Sequence, residues 1–236
     1  MENIKMENKT MKNIFKLTAL ACLMAAASNA VAAPTANVQI KGTVKMGACT
    51  PTLSNNGIAD YGNVITDQLS ATEDTQMPHK YITMNITCGS PTLLTWQMIE
   101  NRFNTNSYSV VILDSAITPY DATNNNNVFG VGLTAQSKRI GGYALAFDYT
   151  QMTTAAGLRL IQKTSSEDWI LSGTALATRS NPEIRFFSLA GPDALEPTAF
   201  SDLTIPMKIS FAIDNGLNIT DVTSIDGNAT LNLNYL

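Results

Sequence analysis

Alternation of apolar and polar residues at period two is the feature that most limits what this chain can fold into. In Tyr81–Cys88 (YITMNITC), Ile82, Met84, Ile86 and Cys88 fall on one face and Tyr81, Thr83, Asn85 and Thr87 on the other. Successive side chains of a strand point to opposite faces, so this segment reads as a half-buried β-strand. Asn37–Met46 (NVQIKGTVKM) repeats the pattern, with Val38, Ile40, Gly42, Val44 and Met46 together. So do Ile205–Ile213, through Met207, Ile209 and Phe211, and Ala229–Tyr235, through Leu231 and Leu233. Leu93–Ile99, Ser107–Leu113, Val128–Leu133, Tyr143–Tyr149, Leu158–Gln162 and Glu183–Leu189 are further strand candidates. Asn55-Asn56-Gly57, Asn124–Asn127, Gly141-Gly142, Asn215-Gly216 and Asp226-Gly227 supply turn chemistry between them. Short strands at frequent spacing predict an all-β sandwich or barrel.

The N-terminus reads as a leader for export. Lys5, Lys9, Lys12 and Lys16 precede a short apolar run, Leu17–Ala27, and then Ala30-Val31-Ala32. The run is shorter than the ~20 apolar residues that span a bilayer, and the three parts together match a cleavable signal peptide over 1–32. Cys22 lies inside the apolar run rather than after it, which argues against a lipid anchor. Nothing later is apolar enough to span a membrane as a helix. The rest, 33–236, shows no composition break and no repeat at a solenoid period, so one domain is expected there.

The leader carries four Lys and two Glu, so the whole-chain charge of −4 becomes about −6 without it. An acidic domain disfavours nucleic acid, which selects basic surfaces. Two cysteines remain, Cys49 and Cys88. In an oxidising compartment an even count reads as a disulfide, with two buried thiols as the alternative. Two Cys with His79 as the chain's single histidine do not make a closed zinc site.

No catalytic constellation stands out. There is no Gly-x-Ser-x-Gly elbow, phosphate-binding glycine loop or His-rich metal motif. His79, beside Pro78, reads as an exposed loop residue, although a Ser-His-Asp triad assembles in space rather than in sequence. Glu167 and Asp168 are neighbours, and adjacent strand residues point to opposite faces. Gly130, Gly132, Gly141 and Gly142 read as close backbone approach or bulges. Trp96 and Trp169 are core packing by default and sugar platforms if exposed. A non-enzymatic protein without cofactor is expected.

Val38–Cys49 (VQIKGTVKMGAC), Asp60–Val64 (DYGNV), a strand ending at Cys88 and the tail Ala229–Leu236 (ATLNLNYL), with Tyr235 next to last, resemble the corresponding parts of type 1 fimbrial subunits, in the same order. A resemblance to the GltF-type periplasmic proteins covers nearly all of 33–236. It is carried by Gly47–Tyr61, Thr83–Leu93, Val128–Gly142 and Ile225–Leu236. That family has no established function and is often encoded beside fimbrial chaperones and ushers.

These resemblances imply an immunoglobulin-like, pilin-like β-sandwich with one disulfide, Cys49–Cys88, and one strand short. In pilins a periplasmic chaperone lends the missing strand and a neighbouring subunit's N-terminal extension then replaces it, which is strand addition at an exposed edge. Carried onto this chain, Val38 and Ile40 are donor-side residues, Leu231, Leu233 and Tyr235 lie on the groove-forming last strand, and the Leu236 carboxylate is the chaperone's anchor. The function implied is a fimbria-associated structural or accessory subunit, in the periplasm and onward in the fimbrium or at the cell surface. Its partners would be a periplasmic fimbrial chaperone and other fimbrial subunits. A soluble periplasmic module with a complete sandwich, binding a carbohydrate or small metabolite, is the alternative. Two departures stand out: the glycine that pilins carry fourteen residues from the end is Thr223 here, and Ala33–Asn37 alone precede Val38. A donor of ~10 residues spans ~33 Å, more than five residues supply.

Overall fold

The computed structural model describes residues 36–43, 47–123, 126–155, 157–179 and 184–236, so the leader at 1–32 lies outside the described residues. The chain divides into two units, Met1–Lys45 and Met46–Leu236. Of the first, residues 36–43 are described. They form no strand, and Val38 and Ile40 are 90% and 96% exposed.

Among the described residues the second unit holds twelve strands: β1 (Cys49–Leu53), β2 (Thr75–Gln76), β3 (Lys80–Thr92), β4 (Leu94–Glu100), β5 (Phe129–Gly130), β6 (Gly141–Phe147), β7 (Thr153–Thr154), β8 (Arg159–Thr164), β9 (Ile170–Leu171), β10 (Arg185–Ala190), β11 (Phe200–Ile213) and β12 (Ala229–Tyr235). They build two antiparallel sheets. One runs β1-β3-β11-β6-β5, with β2 and β7 also paired to β11; the other runs β12-β4-β10-β8-β9. The protein is an all-β sandwich.

The alternation seen in the sequence sets the faces. Ile82, Met84 and Ile86 of β3, Leu203 to Ile213 at every second position of β11, and Tyr143, Leu145 and Phe147 of β6 turn inward. Leu94, Trp96 and Met98 of β4, Leu160 of β8 and Phe187 and Leu189 of β10 meet them from the other sheet. Trp96 is the centre: its ring lies 6.0 Å from Phe147, 6.2 Å from Phe187 and 6.4 Å from Phe200. Full burial of such a side chain removes it as a sugar platform.

β11 carries a proline in mid-strand, normally a misfit because proline has no N–H to donate. Pro206 sits where β6 ends, opposite Met207, and β7 begins, opposite Thr204. Its carbonyl accepts from the Asp148 N–H at 2.7 Å, so its nitrogen faces the same gap and no ladder bond is lost.

Three sequence expectations need correction. The Asn37–Met46 strand is absent over 36–43, and 44–46 lie outside the described residues. Alternation assigns faces but does not supply a partner strand. Ser107–Leu113 is not a strand either: a single bridge, Ile112 to Ala122, is all it makes. Its apolar residues serve a second, smaller core on the outer face of the first sheet, where Val110 and Ile112 pack on Ala144, Ala146 and Ala212. Val128–Leu133 shortens to the two residues of β5. Among the described residues four strands are additional: β1, and the two-residue β2, β7 and β9. β1 contains Pro51 and no clean alternation, yet pairs with β3 along its whole length. It is an edge strand, where proline is tolerated.

Candidate functional site

The side of the sandwich between β1 and β12 is open. Among the described residues β12 pairs with β4 alone, from Ala229 opposite Glu100 to Tyr235 opposite Leu94, so its other edge has no strand. β1 likewise pairs with β3 alone. Leu231 and Leu233 point toward the core but stay half-buried for want of a neighbour on that side.

Below β1 and the start of β12 lies a groove of about 1150 Å³. Its floor is the sandwich's own interior: Ile82, Leu145, Met207, Ile209, Phe211 and Ile213. Its walls are Leu53 with the loop Ile58–Leu69 on one side and Ile219–Ala229 on the other. Both walls are irregular chain carrying apolar residues, Ile58, Val64 and Leu69 against Ile219, Val222 and Ile225. Val222 is wholly exposed. Asp60, Asp221 and Asp226 stand among the lining residues, and no Lys or Arg does. Arg102 neutralises Asp226 from outside, at 2.6 Å.

Tyr61 shows how the walls are held. Its hydroxyl donates to the Ile209 carbonyl at 3.4 Å and its ring meets Phe211 edge-on at 5.1 Å. Burial pushes its phenol up to about 12. The opposite end of the seam is closed by two ties. Cys49 and Cys88 face each other in register and are disulfide-bonded. Beside them the Tyr235 hydroxyl accepts the Cys49 N–H at 2.9 Å, joining the last strand to the first. Tyr235→Phe is expected to weaken the sandwich by about 0.5 kcal/mol, the low end for a lost hydrogen bond at a half-exposed site. Paired urea titrations with the wild type would resolve it.

The expected site residues thus fall into two groups. Leu231, Leu233 and Tyr235 share β12 at the open seam, and the exposed Leu236 follows, its N–H bonded to the Leu93 carbonyl at 3.1 Å. Val38 and Ile40 lie in the N-terminal unit, exposed. The groove walls were not anticipated. Their apolar residues lack any periodicity, and a cluster of isolated Ile and Val among turn residues is the one sign they leave in the sequence.

The other candidates lead away from chemistry or ligand. Trp169 is half-buried under the Lys163 ammonium, 5.1 Å from its ring, and is not among the residues lining this groove. His79 is hydrogen-bonded: Nδ1 meets Ser210 Oγ at 3.0 Å and Nε2 lies 3.5 Å from Asp114 Oδ2. That serine, histidine and aspartate alignment does not form a hydrolytic centre. Ser210 is fully buried under the segment that covers the sheet, out of reach of a substrate.

Residues 38–144 match the family model described as "Protein of unknown function (DUF1120)". Protein GltF of Escherichia coli K12 is 28% identical over 95% of this chain and 98% of its own length. The chain is similar to GltF over nearly its whole length. The uncharacterized protein YhcF of the same organism is 26% identical over 89% of this chain and 94% of its own. The GltF-type resemblance read from sequence therefore holds, and the family model covers the N-terminal segment, β1, β3, β4 and most of β6.

Proposed function

We propose that this GltF-like chain is an exported, non-catalytic structural or accessory subunit of a fimbrial assembly, completed by a strand from a partner. The observation that carries the reading is the open seam: β12 is paired on one side, next to a groove whose floor is the sandwich core. An extended segment there would add backbone bonds to the free edge and apolar side chains to the groove. A periplasmic chaperone is the first such partner, and a fimbrial subunit the second.

The N-terminal segment supports the reading from the donor side. With β1 starting at Cys49 rather than Asn37, cleavage after Ala32 leaves about sixteen residues ahead of the sandwich, ~53 Å when extended. That removes the length objection raised by the sequence alone. Val38, Ile40, Gly42, Val44 and Met46 alternate with Lys41 and Lys45 nearby. Those lysines complement a groove lined by carboxylates and no cation.

The test is to express the chain with its leader, with and without a fimbrial chaperone, and fractionate the periplasm. A soluble one-to-one complex with the chaperone, and degradation or multimers without it, are expected. A stable monomer that accumulates alone overturns the reading. Ile40→Asp should leave the sandwich's urea midpoint unchanged, because Ile40 is 96% exposed. It should also weaken any strand-mediated association by roughly 10- to 100-fold, the worth of burying one such side chain.

A further inference from the structure

The segment 105–123 crosses the outer face of the first sheet as a flap. It buries Val110, Ile112, Ala116 and Ala122 against Ala144, Ala146 and Ala212, and its backbone meets the sheet at its start, where Asn106 bridges Gly141 of β6 and the Ser107 N–H donates to the Gly141 carbonyl at 2.9 Å. A row of side chains pointing outward from β11 and from the chain before β3 holds it. Asp214 accepts from Ser107 and from Ser109, the latter at 3.0 Å. Asp74 accepts the Val111 N–H at 2.7 Å, and the Gln76 amide spans the Val111 carbonyl and the Leu113 N–H at 2.7 and 3.1 Å.

The remaining tie differs from these. Lys208, 7% exposed, donates to Asp114 Oδ2 at 3.0 Å and to the Ala116 carbonyl at 3.3 Å. His79 reaches the same carboxylate oxygen at 3.5 Å while its other nitrogen is held by Ser210. One carboxylate on the flap therefore faces a buried ammonium from β11 and an imidazole from the chain before β3. Asp121, on the flap, receives the Asp114 N–H at 2.7 Å rather than either cation.

We propose that Lys208, Asp114 and His79 form an acid-sensitive latch, and that protonating His79 releases the flap from the sheet. With His79 neutral, the cluster is one cation against one carboxylate. A charged His79 adds a second cation beside a buried ammonium that cannot move to water while the flap is shut. Burial and Lys208, partly offset by Asp114, hold the imidazole below its usual 6.5 in the closed state. Release returns it to water and to the ordinary value. The released state then binds more protons below about pH 6.5, and acid shifts the balance toward it.

Hydrogen exchange read by mass spectrometry tests this on the mature chain at pH 7.5, 6.5 and 5.5, corrected for the intrinsic rate. Peptides covering 105–123 are expected to lose protection several-fold between pH 7.5 and 5.5, while β3 and β6 hold theirs. His79→Gln, which keeps a polar side chain without its charge, should abolish the pH dependence. Asp114→Asn, at an exposed residue, should leave the flap weakly protected at every pH. A flat profile in the wild type overturns the proposal, as does an equal loss in His79→Gln or simultaneous loss in β3 and β6. Should His79→Gln fail to fold, binding of an apolar dye to the wild type at pH 5.5, reversed at pH 7.5, takes its place. Absence of that binding overturns the proposal equally.

Discussion

Cys49→Ser is expected to lower stability by about 2–5 kcal/mol, the range for loss of a native disulfide. The bond links residues 39 apart in sequence, and closing a loop of that size contributes about 4 kcal/mol in the chain-entropy model. Position makes the upper half of the range the expected one. β1 is five residues long, has β3 as its partner, and contains Pro51, which donates nothing. Without the disulfide its hold on the sheet is a short edge ladder and the Tyr235 hydroxyl. Loss of β1 would also remove Leu53, one wall of the groove. The urea midpoint should fall by about 1–2 M at the slopes usual for domains of this size. Wild type in reductant should match the variant. An unchanged midpoint in both would mean that the two thiols hold β1 without their bond.

The sequence disclosed the strands that bury one face and conceal the other. β3, β11 and β12 alternate cleanly because each has a core on one side and a different environment behind it. β12 was bounded to the residue for that reason. β6 is buried on both faces, Tyr143, Leu145 and Phe147 inward and Ala144 and Ala146 under the flap, and small residues on the second face kept its pattern readable. The flap carries a misleading pattern. Val110 and Ile112 alternate as a strand would, but they answer to a surface of alanines rather than to a neighbouring strand. Asn37–Met46 failed for a related reason: its faces are encoded and its partner is not in the chain's own fold over 36–43.

Over 36–43 that segment forms no strand, and Val38 and Ile40 are exposed despite their alternation. The open seam has a floor of core residues and, among the described residues, a strand edge with no pairing strand. The resemblance read from sequence pointed to Val38 and Ile40 on one side and to Leu231, Leu233 and Tyr235 on the other, but not to the irregular walls Ile58–Leu69 and Ile219–Ala229. Placing the start of β1 at Cys49 leaves Asn37–Met46 outside β1 and makes Leu53 a groove wall.

Glu100→Ala is the second large effect, about 3–5 kcal/mol, as for breaking one side of a buried ion pair. Glu100 ends β4 with its side chain 1% exposed. Oε1 accepts the Gly130 N–H at 2.6 Å, tying the second sheet to β5 of the first, and Oε2 lies 3.4 Å from Arg179 Nη1. Arg179 is itself buried, donates to Asn106 and stands 5.3 Å over the Phe103 ring. Alanine would orphan the Gly130 N–H and leave the guanidinium without its counter-charge. Arg179→Met in the same chain should recover part of the loss, so the double mutant falls short of the sum of the singles. pH separates charge from packing. Burial raises the Glu100 carboxyl above its usual 4.5, against the pull of Gly130 and Arg179. A carboxyl with a raised folded value contributes most below pH 4.5, and that contribution fades as pH climbs through the folded value. Glu100→Gln has no such proton to lose, so the wild type should lose ground against it between pH 4 and pH 7 in paired urea melts. If the wild type gains ground instead, Arg179 outweighs burial and the carboxylate is the form this fold prefers.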